Sequence, residues 1–370
     1  MGIELDMEEG FTMRLDEYGM LDPKKRIFFG AVERLFGKTG RTPPKVAVMT
    51  YDNRYSMHEL FMEHIPRSFK GTTFDVTKSD IGDIYKFKLK LYGSEVETGC
   101  LLINLKEWPI GIVLSNAKYM DFKDVQLKFF KKYYPLLSRT FFNSVELLKL
   151  LRRIEKTTGL NIEAQRYVVK RYYGNKETRL CFTEPPTPYA DLFMNAVSER
   201  MWVDSIVVNL KNKDDDDSIS KLRIGRDGVF SYRNMGFAKF FTVVLEDLLK
   251  TWNEELYKNT LQNRTRSMED ITAKPIKIKL KSDLFLEEKD ALKFIEVIKR
   301  LPKWGYSIIS LNKFFVEVNM LDYVSGGSFD LIIPVSNEIH IIPQTQVTPT
   351  VFNRLLSFLT ENYEGEIQNV

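Results

Sequence analysis

The sequence predicts an α+β protein with antiparallel or mixed β-sheets covered by helices and at least two domains. Residues 85–93 alternate between apolar and lysine side chains, a pattern typical of a strand with one buried and one exposed face. Residues 143–158 place leucines at helical spacing between an Asn-Ser cap and Gly159. Strands and helices otherwise occur in runs rather than in regular alternation, which favours α+β over a parallel α/β sheet.

The remaining elements follow from the same two periodicities and from their turn residues. Asp22-Pro23 starts a helix over 24–38, and the Pro43-Pro44 pair precedes a strand over 45–50. A helix over 122–134 ends at Pro135. The further predicted strands cover 98–106, 109–115, 161–173, 177–183, 202–211, 218–226, 275–281, 306–321, 329–334 and 338–342, and the further helices cover 189–201, 236–261, 287–300 and 349–363.

We expect four units along the chain. These are an N-terminal α+β domain (1–117), a basic central helix-hairpin region (118–186), a second α+β unit with a long helix (187–267) and a C-terminal α+β domain (268–370). The segment 184–188 is the best candidate linker because its three prolines disfavour regular structure. The polar stretch 263–274 is a second candidate linker.

The composition is that of a globular chain. Of its 370 residues, 44% are apolar and 28% charged, so a sizeable core is expected and wholesale disorder is excluded. Cys100 and Cys181 are too few for a disulfide framework and are interpreted as buried free thiols. Residues 1–10 are acidic without an apolar core, and no apolar run approaches the roughly 18 residues of a membrane span. We therefore expect no secretory signal, no membrane partner and a cytoplasmic location.

The positive charge is concentrated in the middle of the chain. Residues 118–180 hold 15 Lys/Arg against 6 Asp/Glu, a local charge of +9, whereas residues 301–370 hold 3 against 7, a local charge of −4. Such asymmetry predicts a middle region that faces a polyanion, with an ordinary solvated surface as the alternative.

No familiar catalytic motif is found in the sequence. His58 and His64 are six residues apart and would point about 120° apart on a helix, unlike the i, i+4 pair of zinc proteases. Neither a phosphate-binding glycine loop nor Gly-x-Ser-x-Gly occurs. The run 214–217 of four aspartates lacks the glycine and glutamate of a calcium loop. We therefore assign no catalytic residue, no metal ligand and no cofactor.

Residues 326–346 resemble the strand pair of restriction-type nucleases. In that family an Asp ends one strand and Glu-x-Lys lies on the next, where the carboxylates hold a divalent metal. Asp330 matches the Asp, but Gln344-Thr345-Gln346 occupies the place of Glu-x-Lys. Glutamine has no charge to hold Mg²⁺, so the resemblance implies a degenerate, non-catalytic version of that fold, and a plain hairpin remains the alternative.

Basic side chains recur at spacings that suit a phosphate backbone. Lysines at period 2 fall on one face of a strand, and Tyr interleaved with Arg or Lys can stack bases while neutralising phosphates. Solvated strand faces, helix C-termini and hairpin tips are the alternative interpretations. The candidate nucleic-acid-binding residues are Lys86, Lys88, Lys90, Arg152, Arg153, Arg166, Lys170, Arg171, Tyr172, Arg179, Arg223, Arg226, Lys277, Lys279 and Lys281. Two of these candidates, Arg223 and Arg226, belong to a sequence cluster that also includes Tyr232, Arg233 and Lys239.

These patterns predict a nucleic-acid-binding, non-catalytic accessory subunit of a multi-protein complex that processes nucleic acid. DNA and RNA remain open as ligands, because no reader of the ribose 2′-hydroxyl is identifiable. One alternative is a protein-interaction scaffold, favoured by the aromatic content and the acidic end of the chain. A metal-dependent nuclease whose site has no recognisable motif is the third hypothesis.

Overall fold

A computed structural model describes most of the chain. The described residues are 23–36, 42–65, 68–69, 72–79, 84–90, 97–105, 109–122, 130, 133–173, 176–198, 201–212, 218–252, 265–266, 271–272, 275–280, 283, 285–312, 315–344, 347–363 and 365–369. Outside them fall residues 1–22, most of the predicted helix 122–134, the aspartate run 214–217, Lys281 and Gln346.

The predicted α+β fold is confirmed, because the described residues form three antiparallel sheets together with helices. The strands are β1 (Lys45–Tyr51), β2 (Ser68–Phe69), β3 (Thr72–Lys78), β4 (Ile84–Lys90), β5 (Glu97–Leu105), β6 (Ile110–Ser115), β7 (Leu137–Arg139), β8 (Asn161–Tyr173), β9 (Lys176–Pro188), β10 (Trp202–Lys211), β11 (Ser218–Gly225), β12 (Val229–Arg233), β13 (Thr265–Arg266), β14 (Ile271–Thr272), β15 (Ile276–Leu280), β16 (Trp304–Leu311), β17 (Val316–Asp322), β18 (Ser328–Ile333), β19 (Glu338–Pro343) and β20 (Gly365–Asn369).

The helices begin and end mostly where sequence signals place them. They are α1 (Pro23–Phe36), α2 (Met57–Glu59, continued by a π-turn over Leu60–His64), α3 (Ser144–Thr158), α4 (Tyr189–Ser198), α5 (Phe237–Phe240, continued by a π-turn over Phe241–Leu245 and an α-helix to residue 252), α6 (Glu288–Ile298) and α7 (Pro349–Asn362). Asn143 caps α3 by accepting from the Glu146 amide, and Gly159 ends α3 with a left-handed φ of 68°. Both ends of this helix are therefore determined locally.

A twelve-stranded sheet runs through the first two thirds of the chain in the order β2-β3-β4-β5-β6-β1-β12-β11-β10-β8-β9, with β7 paired to β1. Strand β1 lies near its middle and is buried along its whole length, as its apolar and β-branched sequence requires. This sheet takes strands from three of the four expected units, and the smaller sheets come from residues 265–369.

The two faces of the large sheet belong to two different hydrophobic cores. On one face, Val46 and Val48 join a core built with α1, α3, α4 and α5. On the other face, Ala47 and Met49 join a second core, formed with α2 and with residues 119–137. Since each cover extends over only part of the sheet, the strands beyond it present side chains to solvent.

The C-terminal sheet has the order β16-β17-β18-β19-β15-β20, and α6 and α7 pack on one of its faces. Alternation is clear in β18 and β19, where every second residue is buried. Thr348 caps α7, and Pro349 occupies its first turn, where a missing amide proton costs nothing.

Helix α7 connects the two sheets through polar groups that are buried. The Asn353 side-chain amide is fully buried and donates to the Thr50 hydroxyl on β1 and to Ser138 Oγ and the Arg139 carbonyl on β7, at 2.9–3.1 Å. Because buried amides are costly when unpaired, this network specifies how the C-terminal sheet docks on β1.

A second contact joins residue 134 to the C-terminal sheet. The Tyr134 hydroxyl donates to the buried Asp322 carboxylate at 2.7 Å, and the Arg354 guanidinium lies 3.9 Å from the Tyr134 ring centroid. Burial and the neighbouring carboxylate raise the pKa of Tyr134 far above its ordinary value, so its hydroxyl stays a donor.

Two sequence expectations, both of linkers, are corrected by the structure. The candidate linker 184–188 forms the end of strand β9, where Thr187 and Pro188 pair with β8, because proline is tolerated on an edge strand. Within the second candidate linker, β13 and β14 pair as a short ladder. The predicted helix from residue 236 is confirmed over residues 237–252, where it includes a π-turn. Within the described residues, no helix is both long and apolar enough to cross a membrane.

Candidate nucleic-acid interface

Basic side chains gather on the face of the large sheet that lies opposite α3, α4 and α5. The members of this group, here called the basic face, are Lys45 on β1, Arg233 on β12, Lys221 and Arg223 on β11 and Arg166 on β8. Strand alternation explains the grouping, because the intervening residues Leu222, Tyr232 and Tyr167 point into the helix-covered core. Lys221, Arg233 and Arg166 are exposed.

The strand register places these residues in two short rows across the sheet. Lys45 lies opposite Ser231, which lies opposite Arg223. That row continues through Val207 to Arg166. Neighbouring strands are about 4.8 Å apart, so the three cations of this row recur at intervals of roughly 10 Å.

The second row brings two cations face to face. Arg233 follows Ser231 by two residues on β12 and lies directly opposite Lys221 on β11. Like charges that are directly opposite on neighbouring strands repel each other, and this geometry is destabilising unless an anion lies nearby.

Arg223 is positioned by a tyrosine. Its Nη2 donates to the Tyr119 hydroxyl at 3.0 Å, and its guanidinium lies 4.6 Å from the Tyr119 ring centroid. The other terminal nitrogen, Nη1, is buried and has no hydrogen-bond partner in the described part of the protein. One donor of this guanidinium is therefore unsatisfied at a buried position within the described residues, which costs free energy.

Lys45 is the least exposed cation of the basic face. Its Nζ donates to the Ala117 carbonyl at 2.6 Å. Burial, followed by repulsion from Arg233, lowers the pKa of Lys45 from 10.5 to about 8. Burial accounts for the larger part of this lowering, and the positive charge of Arg233 adds the smaller part.

The hairpin of β8 and β9, which holds the predicted arginines and tyrosines of residues 166–179, contributes to the same face. Part of its positive charge is neutralised by a carboxylate. Lys170 lies 3.1 Å from the Asp204 carboxylate, and Arg179 lies 3.8 Å from the same group. Arg171 and Tyr172 occupy strand positions opposite Thr178 and Glu177, but their side chains are outside the described set. Among the basic side chains of this hairpin that the structure describes, only Arg166 is exposed and has no carboxylate partner.

The first predicted row of lysines at period 2, here called the first lysine comb, is Lys86, Lys88 and Lys90, and it lies elsewhere on the large sheet. Lys86, Lys88 and Lys90 are exposed on β4, on the face that Ile84 shares with the helix-covered core. They are therefore on the opposite face from Arg223. Strand β4 is interior, since it pairs with both β3 and β5, and Asp75 lies directly opposite Lys88.

The second comb lies on the C-terminal sheet among acidic and polar neighbours. Lys279 is opposite Glu338, and Lys277 is opposite His340. The hydrogen bond from His340, with both lysines nearby, lowers the pKa of Glu338. This comb is therefore partly neutralised by its own sheet.

The remaining predicted residues are separate from the basic face. Arg152 and Arg153 lie on α3, across the sheet from Arg166. Arg226 is only 1% exposed, and its guanidinium donates to the carbonyls of Phe142 and Thr360 at 3.3 and 2.6 Å. A buried guanidinium of this kind supports the fold and cannot reach an external phosphate.

Three members of the basic face were not among the predicted site residues, namely Lys45, Lys221 and Arg233, although Arg233 was named in the sequence cluster around Arg223. Lys221 and Arg223 are two apart, a spacing that reveals a shared strand face. Lys45 has no comparable signal, because its neighbours on the basic face come from β12 and β11, which follow much later in the chain.

The other residues considered for chemistry have structural neighbours of their own. The Asp330 carboxylate accepts from the amides of Asn319 and Gln344, and it lies within β18 rather than at its end. The His64 ring is tilted by 43° against the Tyr55 ring, and the two ring centroids are 4.1 Å apart. No group of three His, Cys, Asp or Glu suited to a metal occurs among the described residues. Cys181 is exposed, in contrast to its predicted burial, and its Sγ accepts from Arg166 Nε at 3.3 Å.

No protein-family model matches this chain, and no curated protein matches it. Function is therefore inferred from the geometry and charge of the basic face.

Proposed function

We propose that this protein is a nucleic-acid-binding, non-catalytic subunit of a larger assembly, and that the basic face is its nucleic-acid interface. The observation that supports the proposal is the position of the cations. Arg166, Lys221 and Arg233 are exposed on one sheet face, and Lys45 and Arg223 lie beside them.

Among the residues that the structure describes, the hydrogen-bond partners of this face are neutral groups. In the part of the chain that the structure describes, Lys221 bonds to the Gln165 side chain, Arg223 to Tyr119 and Lys45 to a main-chain carbonyl. No carboxylate pairs with them there. A polyanion that neutralised these residues would release its counterions, which is the main source of affinity in nucleic-acid binding.

The experiment is binding of the purified protein to fluorescent single-stranded and double-stranded DNA and RNA over a salt series, with Mg²⁺ present and the products checked on a gel. We expect binding without cleavage and an affinity that falls steeply as salt rises. The triple variant Lys221→Gln/Arg233→Gln/Arg166→Gln should lose most of this binding. The matched control Lys86→Gln/Lys88→Gln/Lys90→Gln removes the same charge from the opposite face and should bind nearly as well.

Equal loss of binding in both triple variants would mean that net charge alone matters and that the basic face is not the interface. Absence of binding at low salt would reject nucleic-acid binding for this chain. Cleavage that requires Mg²⁺ and disappears in Asp330→Asn would instead favour the nuclease hypothesis.

A protein-interaction scaffold is the second candidate function, and the edge strand β16 favours it. Tyr306, Ile308 and Ile309 are 40%, 42% and 61% exposed on this strand, which has no charged residue. An exposed apolar edge is suited to a protein partner that adds an extended, apolar segment to the sheet. Ile309→Lys should then abolish capture of the partner and leave nucleic-acid binding unchanged, whereas the basic-face triple variant should do the reverse.

A further inference from the structure

Four cations surround a single serine on the basic face. Lys45, Lys221, Arg223 and Arg233, here called the quartet, occupy the strand positions next to Ser231. Lys45 and Arg223 flank Ser231 on its two neighbouring strands, Arg233 is the next residue on the same side of β12, and Lys221 is diagonal to Ser231. Ser231 is half-buried, and the strand register puts its position at the centre of the quartet.

Within the described part of the chain, no ion pair to a carboxylate neutralises the quartet. Within the described ranges, the hydrogen-bond partners of the quartet are neutral groups, namely the Ala117 carbonyl, the Gln165 amide and the Tyr119 hydroxyl. Arg233 repels Lys45 strongly enough to contribute to its lowered pKa. Such an arrangement is unfavourable for the fold alone and becomes favourable when an anion binds.

The donors suit a phosphate group better than a single carboxylate. Lys221 and Arg233 are exposed, Arg223 is half-buried and Lys45 is buried beside them, and the four occupy positions around Ser231 on three neighbouring strands. A phosphate accepts through several oxygens at once, and arginine matches its geometry with two parallel hydrogen bonds. A flat carboxylate would leave part of this donor set unused.

We propose that the quartet and Ser231 form a discrete subsite for one phosphate group, supplied by the backbone of the bound nucleic acid. The subsite deepens the proposed function and rests on it. The phosphate fixes the register of the nucleic-acid strand on the sheet, while Arg166, three strands and so roughly 14 Å from Ser231, binds a later part of the backbone.

The test places an internal anion in the subsite. In Ser231→Glu, the new carboxylate lies among the quartet and takes the place of the phosphate. We expect Tm to rise, because repulsion is relieved, and oligonucleotide affinity to fall about tenfold or more. The slope of log affinity against log salt should decrease by about 0.7–0.9 for each phosphate that the variant no longer neutralises. Simple damage to the fold would lower Tm instead.

A second arm uses inorganic phosphate as the probe. At constant ionic strength, phosphate should raise Tm of the parent protein relative to chloride and should have little effect on Ser231→Glu. Ser307→Glu makes the same change on an exposed position of strand β16 and should behave as the parent in both arms. Arg233→Gln, at an exposed position, should lose affinity and the phosphate response if Ser231→Glu does not fold.

The outcomes separate the subsite from the proposed function. Parental affinity and salt dependence in both Ser231→Glu and Arg233→Gln would overturn the subsite and leave nucleic-acid binding intact. A parent that binds no oligonucleotide but responds to phosphate through Ser231 would overturn the nucleic-acid source and assign the subsite to a free phosphate or phosphate ester. A parent that responds to neither probe would overturn both.

Discussion

Lys221 on β11 and Arg233 on β12 lie directly opposite each other in an antiparallel ladder, and both side chains are exposed. Sheets usually place opposite charges or uncharged residues at such positions, because cross-strand pairs of like charge cost free energy. Together with Lys45 and Arg223, this pair concentrates positive charge at one place on the large sheet.

Reversing the charge of one member should stabilise the protein and weaken nucleic-acid binding at the same time. In Lys221→Glu, the new carboxylate pairs with Arg233, and we expect the free energy of unfolding to rise by about 0.2–1 kcal/mol. Urea denaturation and oligonucleotide titration of the same preparation measure both effects. Unchanged affinity together with higher stability would show that the pair has no part in binding.

Lys45 should make stability depend on pH. Its folded pKa is about 8, lower than its ordinary 10.5, so the unfolded chain binds the proton more tightly between these values. Stability should therefore rise as pH increases from about 8 toward 10.5, and below about pH 8 the full cost of the buried charge is present. Arg233 faces Lys45 from β12, and Ser231, Ser115 and the Ala117 carbonyl are its other neighbours.

The measurement is urea denaturation at several pH values for the parent and Lys45→Met. Tyrosines titrate in the same range in both proteins, so the difference between the two curves isolates Lys45. We expect the free energy of unfolding of the parent to rise relative to that of Lys45→Met as pH increases from about 8 to 10.5. A constant difference would mean that Lys45 is protonated to the same extent in the folded and unfolded states.

Asn353 should be essential for docking the two sheets. Its removal in Asn353→Ala leaves Thr50, Ser138 and the Arg139 carbonyl without this donor in a buried place. We expect a loss of about 1–3 kcal/mol or more in the free energy of unfolding. Asn362→Ala on the same helix removes a single partly exposed bond to Phe358 and should cost less than about 1 kcal/mol. Equal losses would contradict the importance of the buried network.

Cys181 offers a footprint of the bound ligand. It is an exposed free thiol beside Arg166, so it should react with a small maleimide in the free protein. An oligonucleotide that crosses the basic face should slow this reaction several-fold. Peptide mass spectrometry distinguishes Cys181 from Cys100, and an uncharged polymer at equal mass concentration is the control. An unchanged rate at saturating oligonucleotide would locate the ligand away from Arg166.

The sequence by itself predicted the α+β class and the strongest elements. Helix α3 has an apolar stripe, a capping box and a C-terminal glycine, which are all local signals. The alternation of β4 is equally local. The prediction of a linker at 184–188 was wrong. Proline is common in linkers, but it is also tolerated on an edge strand such as β9.

The candidate site was predicted only in part. Arg166 and Arg223 were identified from their spacing, and both belong to the basic face. The same reasoning selected Arg226, since a basic residue in a turn has no local mark of burial. Its carbonyl partners, at Phe142 and Thr360, come from distant segments and become neighbours only on folding.

Local periodicity thus determined which side of each strand a residue faces, because alternation is a property of the backbone itself. Only the tertiary structure decided which strands are neighbours, because pairing depends on contacts between segments distant in sequence. Strand β1 joins β12 and so brings Lys45 beside Arg223 and Arg233. The pairing of β4 through β5 and β6 to β1 puts Lys86, Lys88 and Lys90 on the opposite face of the sheet from these cations.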